Sequence, residues 1–404
     1  MLDVVVAGGG YVGLGVAVAI KQAAPHLKVQ VIEAAPEDVW KKDVRASAII
    51  AAATRMLDVF GIWQELEPEA QPITKMIVTD SKTSDPVRPV FLTFDGDVEE
   101  GRPFAHMIPN VAMVGALRGV CERLGVDIRH GLSVSGFVAD NRVNRVTLSD
   151  GSSLETRLLV ACDGVRSALR DMAGIKTVRW NYDQSGIVTT VEHDRPHEGC
   201  AEEHFLPSGP FAVLPLKGNR SSLVWTERTA DADRLVASDD LVFEEELERR
   251  FGHKLGAIRP VGPRRAFPLG LTLARSFVAP RFALAGDAAH GIHPISGQGL
   301  NLGFKDVAAL AETIVEADRL GLDIGSLNVL ERYQSWRRFD TLRMGVTTDV
   351  LNRLFSNDVG PIRIARDFGL GIVDRLPKLK SYFISQAAGA GDKNGPRLLS
   401  GETI

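Results

Sequence analysis

The feature that most constrains this chain is its opening. Val4-Val5-Val6-Ala7 runs straight into Gly8-Gly9-Gly10-Tyr11-Val12-Gly13, and an apolar stretch, Leu14 to Ala24, follows. An apolar run, a G-x-G-x-x-G turn and an amphipathic segment make strand, tight turn and helix, and Val29-Gln30-Val31-Ile32 supplies the next strand of a parallel crossover unit. Gly8 permits the turn, Gly10 lets the backbone approach a pyrophosphate, and Gly13 lets helix and strand pack closely. Phosphates then meet the free N–H groups and positive dipole end of the helix. Glu33 ends the second strand, 20 residues past Gly13. A carboxylate there accepts hydrogen bonds from ribose hydroxyls and repels a 2′-phosphate, so the site suits an unphosphorylated adenosine.

Two further motifs lie far downstream. Leu158-Leu159-Val160-Ala161 reads as a buried strand leading into Cys162-Asp163-Gly164. Phe282-Ala283-Leu284-Ala285 is another, leading into Gly286-Asp287-Ala288-Ala289-His290-Gly291 and then Ser296-Gly297-Gln298-Gly299-Leu300-Asn301. Here a strand delivers an acid to the carboxyl edge of the sheet, where open α/β sheets bind ligands. A glycine-rich turn then opens a second helix and a second array of N–H donors. Such an array faces the pyrimidine edge of a flavin, which becomes negative on reduction. A nicotinamide dehydrogenase needs no second array, so the three motifs together predict FAD.

The fold class expected is α/β. A Rossmann-like FAD-binding domain is assembled from 1–70, 101–180 and 271–340, and a mostly antiparallel β-sheet substrate domain from 71–100 and 181–270. A helical C-terminal region covers 341–387, and 388–404 is expected to be a disordered tail. Within this scheme a helix is expected from Ala48 to Leu66, a second from Val111 to Leu124 and a third from Leu300 to Leu320. The formal net charge of −4 offers no basic field for nucleic acid. Three well-separated cysteines, Cys121, Cys162 and Cys200, make neither a disulfide framework nor a zinc site and fit a reducing cytoplasm. No stretch approaches the roughly 20 apolar residues of a membrane span.

The combination resembles the para-hydroxybenzoate-hydroxylase class of FAD monooxygenases. The run His293-Pro294-Ile295-Ser296-Gly297-Gln298-Gly299-Leu300-Asn301-Leu302-Gly303-Phe304-Lys305-Asp306, with Thr348 to Asn357 and Arg366 to Leu370, resembles more narrowly the ubiquinone-biosynthesis hydroxylases (UbiH/UbiF-like). The likeness covers nearly the whole chain. It implies an aromatic-ring hydroxylase using NAD(P)H and O₂ through a C4a-hydroperoxyflavin, acting on a polyprenylated phenol or benzoquinol. It also implies transient NAD(P)H binding without a separate domain, and partner proteins of ubiquinone biosynthesis. Carried over residue by residue, Gly8, Gly10, Tyr11, Val12, Gly13 and Glu33 hold the adenosine diphosphate end. Arg45 reaches the pyrophosphate, and Asn110, Asp163 and Asp287 contact FAD. Gly299, Leu300 and Asn301 meet the flavin ring, with Pro294 beside it. Ala161-Cys162 stands where Gly-Ala is commoner, a small-for-small change.

Other residues carry two readings each. His290 and His293 are spaced three apart, but no third ligand completes a metal set, so no metal is expected. Phe211, Pro215, His293 and Pro294 are candidates for the substrate pocket; no catalytic acid, base or nucleophile is assigned. Phe211 and Pro215 fit a sheet core equally well. Arg166 and Arg170 are read either as nucleotide contacts or as a solvated helix face. Residues 331–380 hold ten Lys/Arg and six Asp/Glu among apolar residues. Part of this stretch, 341–380, is a candidate for peripheral contact with the inner face of the plasma membrane, set against an ordinary charged helix. The rival functions are a hydroxylase of a soluble phenolic acid and a flavin-binding, non-catalytic component of a biosynthetic complex.

Overall fold

A computed structural model describes residues 1–80, 90–95, 103–292, 298–355 and 395–404. Two sheets organise it. The first runs in the order Val278–Ala279, Phe282–Leu284, Ser153–Ala161, Leu2–Ala7, Val29–Glu33, Asp127–His130. Its central strands are parallel, with Ala7 level with Ala161 and Ile32, and Ala161 level with Leu284. All three glycine-bearing motifs therefore leave the sheet at the same carboxyl edge. Val4, Val5 and Val6 are fully buried, so side chains on both faces of this strand are covered, which is why they read as an unbroken apolar run. Helices Tyr11–Ala23 and Gln298–Arg319 pack side by side, and a Cβ on Gly15 would lie 3.2 Å from Val307.

The second sheet runs His290–Gly291, Arg265–Ala274, Thr177–His193, Arg220–Arg228, Gly209–Leu216, Cys200–Leu206, Lys75–Asp80, Val90–Asp95. It is antiparallel except where Cys200–Leu206 meets Lys75–Asp80. One face is covered by helices Thr229–Ala237 and Asp240–Phe251, whose Leu235, Phe243 and Leu247 close a core with Phe211 and Trp225. The period-2 pattern gave no sign of these two helices.

Two expectations need correction. Ala48 does not begin a helix: Ala46–Ile50 is a strand paired with Ala105–Pro109, and helix Ala51–Val59 starts after it. The apolar run Ile49-Ile50 serves a small three-stranded sheet between the two larger ones, and a short apolar run does not distinguish strand from helix. The tail is not disordered over its last ten residues. Arg397–Ser400 forms a helical turn, Leu398 is buried, and Arg397 pairs with Glu312 and Glu316. Its Gly-rich approach concealed one apolar anchor and one ion-pair cluster. The remainder of the tail lies outside the described residues.

Candidate cofactor and substrate site

The cleft is built where the carboxyl edge of the first sheet meets helix Tyr11–Ala23. Gly8 turns with φ +116°, a conformation that L side chains rarely adopt, and a Cβ there would collide with the Cys162 carbonyl. A Cβ on Gly13 would strike the Gly8 carbonyl oxygen. Gly10 is different: among the described residues nothing lies within 4 Å of the position its Cβ would take. It caps the helix with no side-chain acceptor for the first N–H groups. An open, donor-rich helix start is what a diphosphate requires.

Glu33 accepts hydrogen bonds from the Gly9 N–H and, at 2.7 Å, from the Ala35 N–H. This fixes its carboxylate at the end of the second strand, beside the glycine turn. Asp43, Arg45, Ser47 and Asn110 form the opposite rim. Arg45 Nε and Nη2 donate to the two Asp43 oxygens at 2.8 and 2.7 Å. Asn110 Nδ2 donates to Asp43 Oδ2 at 3.1 Å, and Ser47 Oγ donates to Asn110 Oδ1 at 2.7 Å. Hydrogen bonds from Arg45 and Asn110 outweigh burial and hold Asp43 below the usual carboxylate range. Tyr11 sits between Arg45 and Asp287; enclosure, the larger effect, raises its phenol and Arg45 opposes it.

Asp287 is solvent-accessible yet ringed by protein, the combination a concave recess produces. Enclosure raises its carboxyl above the ordinary value, with nearby His290 pulling the other way. Asp163 accepts from Ser167 Oγ at 2.6 Å and from the Leu169 N–H at 3.2 Å, and so anchors the start of helix Ala168–Met172. Gly299 and Leu300 open helix Gln298–Arg319, and among the described residues nothing lies within 4 Å of where a Gly299 Cβ would sit. Asn301 is buried: its Oδ1 accepts from the Ile50 N–H at 3.1 Å and its Nδ2 donates to the Ala48 carbonyl at 2.9 Å. Its side chain therefore ties the later turn to strand Ala46–Ile50.

The distant motifs converge. A Cβ on Gly286 would lie 3.1 Å from Val12, and one on Gly303 would lie 2.6 Å from the same side chain. Residues 8–13 thus share one wall with Gly286 and Gly303. The donor array at Gly10, the Glu33 carboxylate, the recessed Asp287 and the open Gly299 turn fit an extended dinucleotide: adenosine beside Glu33 at one end, diphosphate over Gly10 in the middle, flavin ring at the other end.

Several residues fall elsewhere. Phe211 points away from the cleft, fully buried against Trp225 and Phe243 under the helices. Pro215, four residues on along the same strand, takes the same side by alternation. The intervening residues, Ala212 and Leu214, take the opposite face, where Leu214 packs against the small sheet. Arg170 is neither solvated nor a nucleotide contact: it is buried and donates to the Val165 and Ala288 carbonyls. Arg166 is exposed. His293 and Pro294 lie outside the described residues.

The support beneath Asp287 is not legible from residue types and spacing. Asp306 accepts from the Gly286 N–H at 2.8 Å, from His290 Nε2 at 2.5 Å and from Arg337 Nε at 2.7 Å, all buried. Burial alone would raise Asp306, but His290 and Arg337 hold it below the usual carboxylate value. Tyr333 adds a hydrogen bond from its hydroxyl to the Leu284 carbonyl at 2.7 Å. Among the described residues no three His, Cys, Asp or Glu side chains converge on a metal position.

Residues 1–338 match the family described as FAD binding domain. The chain is 44% identical to ubiquinone hydroxylase UbiL of Rhodospirillum rubrum, covering 99% of this chain and 92% of that one. It is 32% identical to 3-demethoxyubiquinol 3-hydroxylase of Escherichia coli, covering 96% and 98%. Among solved structures, p-nitrophenol 4-monooxygenase PnpA from Pseudomonas putida superposes with a TM-score of 0.80 at 21% identity, covering 98% and 99%.

Proposed function

The chain belongs to the FAD-binding-domain family, in its ubiquinone-biosynthesis hydroxylase branch, and from this premise we propose that it hydroxylates the aromatic ring of a polyprenylated phenol or benzoquinol. The reductant is NAD(P)H and the oxidant O₂. The observation that carries the reading is Val12 packed against both Gly286 and Gly303, which unites the diphosphate turn and the ring turn in one cleft.

Bound FAD would supply the electron transfer from NAD(P)H and the oxygen activation. The chain supplies the rest. The N–H groups after Gly10 bind the diphosphate, and Glu33 receives the ribose hydroxyls. Asp287 holds the chain linking diphosphate to ring, and the start of helix Gln298–Arg319 turns its donors toward the ring's polar edge. Asn301 ties the ring turn to strand Ala46–Ile50 of the small sheet, which packs on the second sheet, and together they wall the ring site from bulk water. Deleting the gene is expected to leave a prenyl-phenol lacking one ring hydroxyl in the lipid extract, identified by mass spectrometry. Normal ubiquinone with no such intermediate, in a strain without a second hydroxylase, would sink the reading.

A prenylated substrate has to be taken from a lipid surface, and helix Leu327–Phe355 carries a feature that supports contact there. Phe339, Leu342, Val346 and Val350 are all exposed and recur at steps of three and four, a single stripe along one face. Arg338 and Arg343 lie beside it. Among the described residues no helix is long and apolar enough to cross a membrane, so this contact is lateral. The protein is expected to float with vesicles containing anionic lipid, and Leu342→Glu with Val346→Glu is expected to release it at least tenfold. Equal flotation of the double variant would rule the stripe out.

A further inference from the structure

Strand Cys200–Leu206 sets Glu203 on the face of the second sheet that looks toward the cleft. Glu203 lies level with Ala212 on one neighbouring strand and Val78 on the other. Ala201, two residues earlier on the same face, packs with Ala105 and Met107 in a cluster that includes Ala48 and Leu214. Ala48 is the residue whose carbonyl holds Asn301, beside the ring turn. Glu202 and His204 take the other face, where His204 stacks on Phe211.

Glu203 is only 3% exposed, and its Oε2 has no hydrogen-bond partner among the described residues. Apolar residues packed over this face include Ala46, Ala48, Ala105 and Met107. On its own face the neighbouring titratable group is Asp80, level with Phe205. An unpaired buried carboxyl oxygen is costly, and a native fold that keeps one calls for a partner that arrives from outside.

We propose that Glu203 is a catalytic residue of the ring hydroxylation, receiving the proton of a ring hydroxyl on the bound substrate. The assignment rests on the function proposed above. The substrate O–H bond breaks and its proton moves to Glu203 Oε2; the bond pair stays on the substrate oxygen and enriches the ring carbons ortho and para to it. One atom of O₂ joins such a carbon, whose hydrogen departs as a proton. The other atom leaves as water, with two electrons from NAD(P)H, and Glu203 returns its proton to the substrate oxygen. Burial pushes Glu203 up to about 7, which matches a base that works near neutral pH.

The test compares wild type, Glu203→Gln and Glu203→Asp as FAD-loaded proteins, with a detergent-solubilised 2-prenylphenol, NADH and O₂. Hydroxylated product and peroxide per NADH are measured from pH 5.5 to 9. Wild type is expected to gain product as pH rises through about 7. Glu203→Gln is expected to lose product about 10²-fold, release peroxide instead and show no such rise; Glu203→Asp recovers part of the yield. FAD content stays unchanged in all three. Folding gives a second readout without substrate. The folded state keeps the Glu203 proton between the ordinary value of 4.5 and about 7, so wild type loses stability as pH rises across that window. Glu203→Gln loses none there, and its unfolding constant at pH 8 is expected to be about 10²-fold smaller. If wild type makes product and Glu203→Gln matches its yield and pH profile, this assignment fails alone. If wild type makes no product from the phenol and none accumulates in the deletion strain, the functional reading fails and takes this assignment with it.

Discussion

Gly10→Val is expected to purify as a folded, colourless protein, with FAD affinity weakened about 10²-fold. The expectation follows from what surrounds the position. Among the described residues no atom lies within 4 Å of where a Cβ would sit, and the backbone is extended, at φ −77° and ψ 179°, which any residue adopts. A side chain there costs the apoprotein almost nothing. It would instead occupy the space over the helix start and keep a diphosphate from its N–H donors. Losing one or two charge-assisted hydrogen bonds, at roughly 1.5–3 kcal/mol each, gives that hundredfold. Gly13→Val is the contrasting case. Its Cβ would strike the Gly8 carbonyl, so helix and strand must separate, and both stability and FAD should be lost, the first by about 1–3 kcal/mol or more. Flavin absorbance and apoprotein melting separate the two variants. Wild-type FAD affinity in Gly10→Val would remove the diphosphate from this turn.

The difference between these glycines also shows what a sequence can disclose. The spacing Gly8, Gly10, Gly13 encodes a local geometry, so strand, turn and helix are legible without coordinates. Asp287 and Gly299 are legible for the same reason: each follows its own buried strand or opens its own helix. Contacts made across the fold are not. Arg337 sits 31 residues beyond Asp306 with nothing in its surroundings to mark it as buried. Strand Ala46–Ile50 takes its conformation from pairing with Ala105–Pro109, where Ala46 is level with Pro109, 63 positions away, and alone it looks like the start of a helix. Phe211 shows a third limit. Alternation reveals that a strand has two faces but not which one meets the cofactor. That is decided by helices Thr229–Ala237 and Asp240–Phe251. Glu203, beside Glu202 in an apparently polar pair, reads as surface until the register places it inside.

Asp306→Ala is expected to be the most damaging substitution outside the glycine turns. It removes one carboxylate and strands three donors: the Gly286 N–H, His290 Nε2 and Arg337 Nε. Breaking a buried pair from one side costs about 3–5 kcal/mol, because the remaining charge has no water to turn to. Arg337 keeps Asp340 at 2.8 Å, which places the loss near the lower figure, ~3 kcal/mol. The damage reaches the cofactor as well. Gly286 is the residue before Asp287, and once its N–H is released the recess that holds Asp287 loosens, so FAD should dissociate faster. The pH dependence has a definite sign. Asp306 is held below its ordinary value of 3.8 in the folded state, so its contribution is complete above that pH and lost only as acid protonates it. The deficit of Asp306→Ala should therefore be the same at pH 6 and pH 8 and shrink below about pH 4. A double-mutant cycle with Arg337→Met distinguishes this from simple cavity formation. Removing both partners should cost less than the two single losses added together, since neither leaves the other charged and alone. Strict additivity in urea unfolding, with FAD release unchanged, would mean that the Asp306 cluster neither stabilises the fold as a unit nor holds the Asp287 turn.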